Sequence, residues 1–152
     1  HFGYSVIRRS EMGIESDDGS AHQIVILDTI GELGRLYSLA DVVFVGGSFV
    51  RVGGHNILEP AAHGKPVLVG PFMFNFKEIF KLLSERGVCI MCNTPEDFEE
   101  ELLALLADRQ KMQKMGQVAL EVVRENQGAT GRNIAAFEKL LAEYHVQLKG
   151  HK

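Results

Sequence analysis

Between two apolar runs, the stretch GGSFVRVGGHNILEP, residues 46–60, gathers two glycine pairs, a serine, a histidine, an asparagine and a glutamate. These residue types suit one kind of chemistry. Gly46, Gly47, Gly53 and Gly54 lack a Cβ and so let a phosphate or a sugar come close to main-chain N–H groups. Ser48, His55 and Asn56 can donate to an anion, and Glu59 has two carboxylate oxygens that can hold neighbouring hydroxyls, as on a ribose. Pro60 cannot donate a hydrogen bond inside a helix, so it must fall within the first turn. A helix therefore starts near Asn56 to Glu59, and helix starts, with unpaired N–H groups and a partial positive charge, suit anions. The competing reading is a flexible connection whose glycines only make turns.

Other nucleotide and metal patterns fit less well. A Walker A loop needs a hydroxyl after its Gly-Lys, and Gly64-Lys65 is followed by Pro66. A dinucleotide fingerprint needs G-x-G-x-x-G directly between strand and helix, a spacing that is absent. The six histidines show no ligand spacing, and the acidic run SDDGS, residues 16–20, reads as a solvated turn. Cys89 and Cys92 form a C-x-x-C inside an apolar, strand-like run, where alternation sends residues three apart to opposite faces. They read as buried thiols of a reducing compartment. Neither a metal nor a cofactor is expected, and ligand binding should need no divalent cation.

The elements that must position this loop alternate. YSVIRR and HQIVILD read as strands joined by a polar turn, GELGRLYSLA as a helix, and DVVFVGG as a strand. KPVLVGP and VCIMC are further strands, with NFKEIFKLLSERG a helix between them and PEDFEEELLALLAD a helix after. From Arg109 onward the chain reads as helical, with a break at NQGATGRN. Thr29 with Glu32, and Asn75 with Glu78, have capping-box spacing. Thr94 followed by Pro95 is an N-cap with proline in the first helical position. Phe98, Leu102, Leu105 and Leu106 share one helical face, and Ile134, Phe137, Leu141, Tyr144 and Leu148 make a second apolar stripe. Alternating apolar strands and helices imply an α/β fold, a Rossmann-like parallel sheet with helices on both faces. Ligands bind such sheets outside the carboxyl ends of the strands, which is where the glycine loop lies.

Length and composition agree with one domain, residues 1–152, that can bury a real core. Hydrophobic residues make up 45% and charged residues 24%, as in ordinary globular proteins. The formal net charge of -4 gives no basic footprint for nucleic acid. No apolar run is long enough to span a bilayer. The first residues have no signal-peptide h-region and no initiator methionine, which suggests a piece of a longer chain.

The segment from Asp28 to Ile79 closely resembles the 3-deoxy-D-manno-octulosonic acid (Kdo) transferases. The signature G-G-S-x-x-x-x-G-G-H-N-x-L-E-P-A is unbroken from Gly46 to Ala61, and D-T-x-G-E-L, Asp28 to Leu33, precedes it. The resemblance implies a two-domain GT-B glycosyltransferase without a D-x-D metal site. Its C-terminal half would bind the donor CMP-Kdo. Its N-terminal half, absent here, would bind a lipid A precursor and supply a carboxylate base. Such enzymes act at the cytoplasmic face of the inner membrane of Gram-negative bacteria.

Carried onto this sequence, the resemblance puts Gly46, Gly47 and Ser48 on the phosphate and sugar side. Gly53, Gly54, His55 and Asn56 would approach the phosphate, and Glu59 would hold the ribose. Ile30, Gly31 and Glu32 would lie on the neighbouring loop that seats the base, although Glu32 with Thr29 also reads as a plain capping box. Upstream strand–helix units of the donor half would be missing, so the fragment is expected to be inactive alone and open to self-association through its strand edges. Two alternatives remain: a GT-B enzyme that uses a UDP-sugar, and a non-catalytic module that binds a partner protein.

Overall fold

A computed structural model describes residues 4–12, 24–127 and 137. The turn SDDGS and four positions of the second apolar stripe (Ile134, Leu141, Tyr144 and Leu148) lie outside the described residues. Phe137 is helical and exposed. Among the described residues the order is β1 (Val6–Arg8), β2 (Ile24–Ile26), α1 (Leu33–Leu39), β3 (Val43–Val45), α2 (Leu58–Ala62), β4 (Val67–Val69), α3 (Lys77–Glu85), β5 (Cys89–Met91), α4 (Pro95–Ala107) and α5 (Arg109–Asn126). This is the α/β alternation that the sequence implies.

The strand pairs are parallel: helices separate β3, β4 and β5, as parallel neighbours require, whereas the polar turn expected between β1 and β2 would not by itself have implied a parallel pair. They form two sheets rather than one: β1 pairs with β2, and β3, β4 and β5 pair in that order. Val43 is level with Val67 and Val67 with Cys89, so β4 is the central strand of the larger sheet. Its three residues are fully buried, and alternation divides them between two cores. Val67 and Val69 pack with Ala61 of α2, Leu83 of α3, and Ala119 and Val122 of α5. Leu68 faces the other way, into a core with Leu105 of α4 and Met115 of α5. Helices therefore cover both faces of this sheet. The β1–β2 pair differs: Ile24, Val25 and Ile26 are all more than 40% exposed, although their sequence reads as a buried strand.

The helix ends separate two kinds of cap. At α4 the expected N-cap is present: Asp97 N–H donates to Thr94 Oγ1 at 3.1 Å, and Asp97 Oδ2 accepts from Thr94 N–H at 3.2 Å. At α5 only the first of these bonds is present: Asp108 Oδ1 accepts from Lys111 N–H at 2.9 Å. The two other expected boxes are corrected. Asn75 precedes the Phe76 cap of α3 and instead donates to Val52 O at 3.0 Å. Thr29 does not cap α1, whose N-cap is Glu32; its hydroxyl bonds the Glu32 carboxylate. Leu106 is also corrected: it is 49% exposed, whereas Phe98, Leu102 and Leu105 line the core.

Cys89 and Cys92 fall in the two different cores, as the alternation requires, and both are free thiols. Burial pushes the Cys89 thiol up to about 12, with the charge of Cys92 a lesser cause. It therefore carries almost no thiolate near neutral pH.

Helix α5 crosses α2 at close range. The two backbones meet where Gly116 faces the carbonyl of Gly64, two residues past the end of α2. A Cβ at Gly116 would run into that carbonyl, and backbone cannot rotate aside as a side chain can. We expect Gly116→Ala to destabilise the fold, although alanine is favoured over glycine by about 1 kcal/mol inside a helix. Overpacking of about 1–3 kcal/mol outweighs that gain. Urea unfolding of the variant should show a lower midpoint; a higher one would mean that propensity wins and the helices separate freely.

Candidate functional site

The glycine loop leaves the carboxyl end of β3 and returns through α2 to β4, so it lies at the strand edge expected for a ligand. Its shape depends on Ser48, which is fully buried. The Ser48 hydroxyl donates to Val45 O at 2.6 Å and accepts from Gly70 N–H at 2.8 Å. Phe72 N–H donates to Ser48 O at 2.9 Å. The exits of β3 and β4 are thus tied together. This corrects the expectation that Ser48 donates to an anion, because its one O–H is already committed inside the protein.

Gly53 and Gly54 are buried, with φ of 99° and 73°, in the left-handed region that side chains avoid. Side chains at these positions would meet Asn75 and Phe74, and Met73. Gly54 N–H donates to Gly47 O at 3.1 Å, and Asn75 N–H to Gly53 O at 3.3 Å. The second glycine pair therefore folds the loop onto the segment after β4. Gly54 does not offer its N–H outward, contrary to the expected phosphate approach. The first pair is more open: Gly46 is exposed, with nothing near the position of an added Cβ. Gly47, at φ 69°, faces the His55 ring. Arg51 lies over the Phe72 ring at 5.7 Å, at the tip of the loop.

His55 and Glu59 are exposed at the other end. Among the described residues His55 makes no hydrogen bond, and Glu59 makes no ion pair. Pro60 follows Glu59 in the first turn of α2, as its missing N–H requires. Asn56 lies between them and is half-buried; its Oδ1 accepts from Leu58 N–H at 3.0 Å, and its Nδ2 donates to Glu59 Oε1 at 3.1 Å. Helix α1 packs beside α2, with the Tyr37 and His63 rings 5.9 Å apart. Burial raises the Tyr37 pKa, and the nearby Glu59 charge raises it further. Tyr37 is therefore a neighbour of Glu59, and nothing in the sequence marked it as one. Glu59 also walls a cavity of about 360 Å³ shared with Leu58, Ala62 and the end of α5. A cavity of about 460 Å³, lined by Pro71, Met73, Phe74 and Phe80 together with Lys77 and Lys81, opens beyond the exit of β4. A third, of about 250 Å³ between Asp41, Lys65 and Arg109, lies at the opposite ends of β3 and β4, away from this loop.

The loop after β2 carries Ile30, Gly31 and Glu32. Ile30 is fully exposed, and Gly31 has φ of 87°. Glu32 is held: Thr29 bonds its carboxylate, and Arg9 pairs with it at 3.0 Å. The Thr29 hydroxyl, and then the charges of Arg9 and Arg35, hold its carboxyl below the usual range. Asp28, which accepts from Ser10 Oγ at 2.6 Å and Ser10 N–H at 3.0 Å, is lowered by those bonds. These two carboxylates tie the end of β1 to the loop after β2. Among the described residues no cluster of His, Cys, Asp and Glu could hold a metal ion, and no helix is long and apolar enough to cross a membrane.

With this geometry in hand, comparison with known proteins is decisive for the family. The family model of glycosyl transferases group 1 matches residues 13–122. The chain belongs to that family. It is similar to the 3-deoxy-D-manno-octulosonic acid transferase of Haemophilus influenzae, with 39% identity over 130 residues, 85% of this chain and 30% of that protein. The enzyme of the same name from Bordetella pertussis is 35% identical over 139 residues, 91% of this chain and 32% of that one. The chain thus spans under a third of the length of these curated relatives. Among solved structures, the C-terminal CMP-Kdo binding domain of WaaA from Acinetobacter baumannii matches with a TM-score of 0.67 and 31% identity. That match covers 79% of this chain and 61% of the other. The chain therefore shares the α/β fold of a GT-B C-terminal domain.

Two outcomes follow from these contacts. Ser48→Ala leaves the buried Gly70 N–H and Val45 O without their partner, so stability should fall by about 1–3 kcal/mol. Ser84→Ala, on an exposed hydroxyl, is the control, and equal urea midpoints for the two variants would contradict the assigned tie. The second outcome concerns pH. The folded pKa of Glu32 is depressed, so its stabilising contribution is present above the unfolded value of about 4.3 and is lost as pH falls through the folded one. The stability gap between the native chain and Glu32→Gln should therefore close as pH is lowered from 6 through about 4 and below. A gap that stays constant under acid would show that the charge of Glu32 plays no part.

Proposed function

We propose that this chain is the donor-binding part of a Kdo transferase, which moves Kdo from CMP-Kdo to a lipid A precursor in lipopolysaccharide synthesis. The observation that carries the proposal is the unbroken loop signature, from Gly46 to Ala61, in a chain 31% identical to a CMP-Kdo binding domain. The geometry supports a division of labour. The open Gly46–Gly47 turn and the unpaired His55 suit the phosphate and sugar. Glu59, exposed and without a cation, suits the ribose hydroxyls, because a carboxylate accepts from both. The exposed Ile30 and the backbone of Gly31 suit the base.

In the reaction an acceptor hydroxyl attacks the anomeric carbon of Kdo. The bond from that carbon to the phosphate oxygen breaks, and its electron pair leaves with CMP. Negative charge grows on the departing phosphate, and donors already in place at the loop stabilise it without reorganising. The acceptor proton goes to a base. The proposal assigns that base, and the acceptor surface, to the N-terminal half of the full-length enzyme at the cytoplasmic face of the inner membrane.

Calorimetry with CMP, UDP and inorganic phosphate tests the assignment. CMP should bind more tightly than UDP. Glu59→Ala removes ribose contacts only, so it should weaken CMP roughly ten- to hundredfold, the scale of hydrogen bonds to a charged group, and leave phosphate nearly unchanged. A preference for UDP would favour a UDP-sugar enzyme instead, and no nucleotide affinity at all would favour a non-catalytic module.

A further inference from the structure

Asn56 does something that its place in the loop did not announce. Its side chain has one acceptor and a pair of donors, and both ends are engaged. Oδ1 accepts from Leu58 N–H at 3.0 Å, and Nδ2 donates to Glu59 Oε1 at 3.1 Å. The neighbours fix the orientation of the amide. A backbone N–H can only donate and a carboxylate can only accept, so turning the amide over would break both contacts. The bond to Leu58 N–H is part-buried, whereas the bond to Glu59 lies at the surface, where a ligand can reach the carboxylate.

Among the described residues, Glu59 has no other side-chain hydrogen bond or ion pair. Tyr37 feels its charge, yet no hydrogen bond joins the two. A glutamate side chain on an exposed first turn has three rotatable bonds, and ordering it costs entropy. The Asn56 amide holds one of its oxygens. The other oxygen is then presented in a fixed direction, which a pair of adjacent hydroxyls needs.

We propose that Asn56 is a positioning residue for ribose recognition: it orients the Glu59 carboxylate and does not contact the phosphate. The inference rests on the reading of Glu59 as the ribose acceptor. It separates two roles within the His55-Asn56 pair, with His55 facing the anion and Asn56 facing its own helix.

The test uses the full-length polypeptide and four probes: CMP, cytidine, 2′,3′-dideoxy-CMP and 2′,3′-dideoxycytidine. Asn56→Asp keeps the acceptor for Leu58 N–H, so α2 stays capped, but it replaces the donor with a carboxylate facing Glu59. Asn56→Ser keeps an acceptor, adds no charge and cannot reach Glu59. Both variants should lower the preference for ribose over dideoxyribose by about fivefold or more, the scale of losing an oriented, charge-assisted hydrogen bond. The fall should be the same with and without the phosphate. In a Glu59→Ala background, either Asn56 substitution should have no further effect on that preference. A merely structural cap would leave the preference intact. A loss confined to CMP, with cytidine unaffected, would make Asn56 a phosphate contact and overturn the proposal. So would losses that add fully to that of Glu59→Ala. If Glu59→Ala leaves the ribose preference unchanged in a protein that binds CMP, the assignment of Glu59 itself fails, and this inference fails with it.

Discussion

Two strand exits must be held side by side before any ligand edge exists, and a single buried hydroxyl joins them. Ser48 sits just past β3 with no exposure to solvent, and its oxygen stands between the carbonyl of Val45 and the N–H of Gly70. A polar group at that depth is tolerated only because both of its hydrogen-bonding capacities are met. The same residue's carbonyl accepts from Phe72. The chain leaving β3 and the chain leaving β4 are therefore one unit. The segment that follows β4 then supplies Met73, Phe74 and Asn75, against which Gly53 and Gly54 close the loop. The bonds from Asn75 to Gly53 O and Val52 O then fasten the far side of the loop to the same platform.

The loop divides into groups that hold the fold and groups left for something else. Ser48, Gly53 and Gly54 belong to the first set. Gly46, His55 and Glu59 belong to the second, since they are exposed and, among the described residues, without ionic partners. Asn56 connects the sets, with one end on the helix backbone and the other on Glu59. Desolvation sets this division: backbone groups inside the loop have no water to bond and must find each other. The outer side chains keep their solvent.

Much of this was legible in the sequence. Pro60 located the start of α2, because a residue without an N–H has few places in a helix. Thr94 and Pro95 located the start of α4, and the spacing of Cys89 and Cys92 placed them on opposite faces. What misled was local spacing without its tertiary partner. Thr29 and Glu32 stand at capping-box distance, but Arg9, remote in sequence, draws the Glu32 carboxylate into an ion pair. Asn75 and Glu78 have the same spacing, but Asn75 turns to the carbonyl of Val52. The burial of Ser48 was illegible because serine in a glycine-rich turn looks exposed. Only the approach of β4 encloses it. The split into two sheets was likewise hidden, since apolar runs record a preference for the strand and not which strand lies alongside.

The left-handed glycines have a consequence for how substitution data on this loop should be interpreted. In a saturation scan scored by survival of function, Gly53 and Gly54 would be depleted of nearly every replacement, as would His55 and Glu59 under the function proposed above. The four signals would look alike and mean different things. At the glycines, intolerance reports φ values near 99° and 73° and the side chains packed against them. It would persist in an assay that measured only abundance of the folded chain. At His55 and Glu59, exposed as they are, depletion that disappeared in the abundance assay would map the outline of the bound ligand. Scored both ways, the scan would separate the mould from what is cast in it.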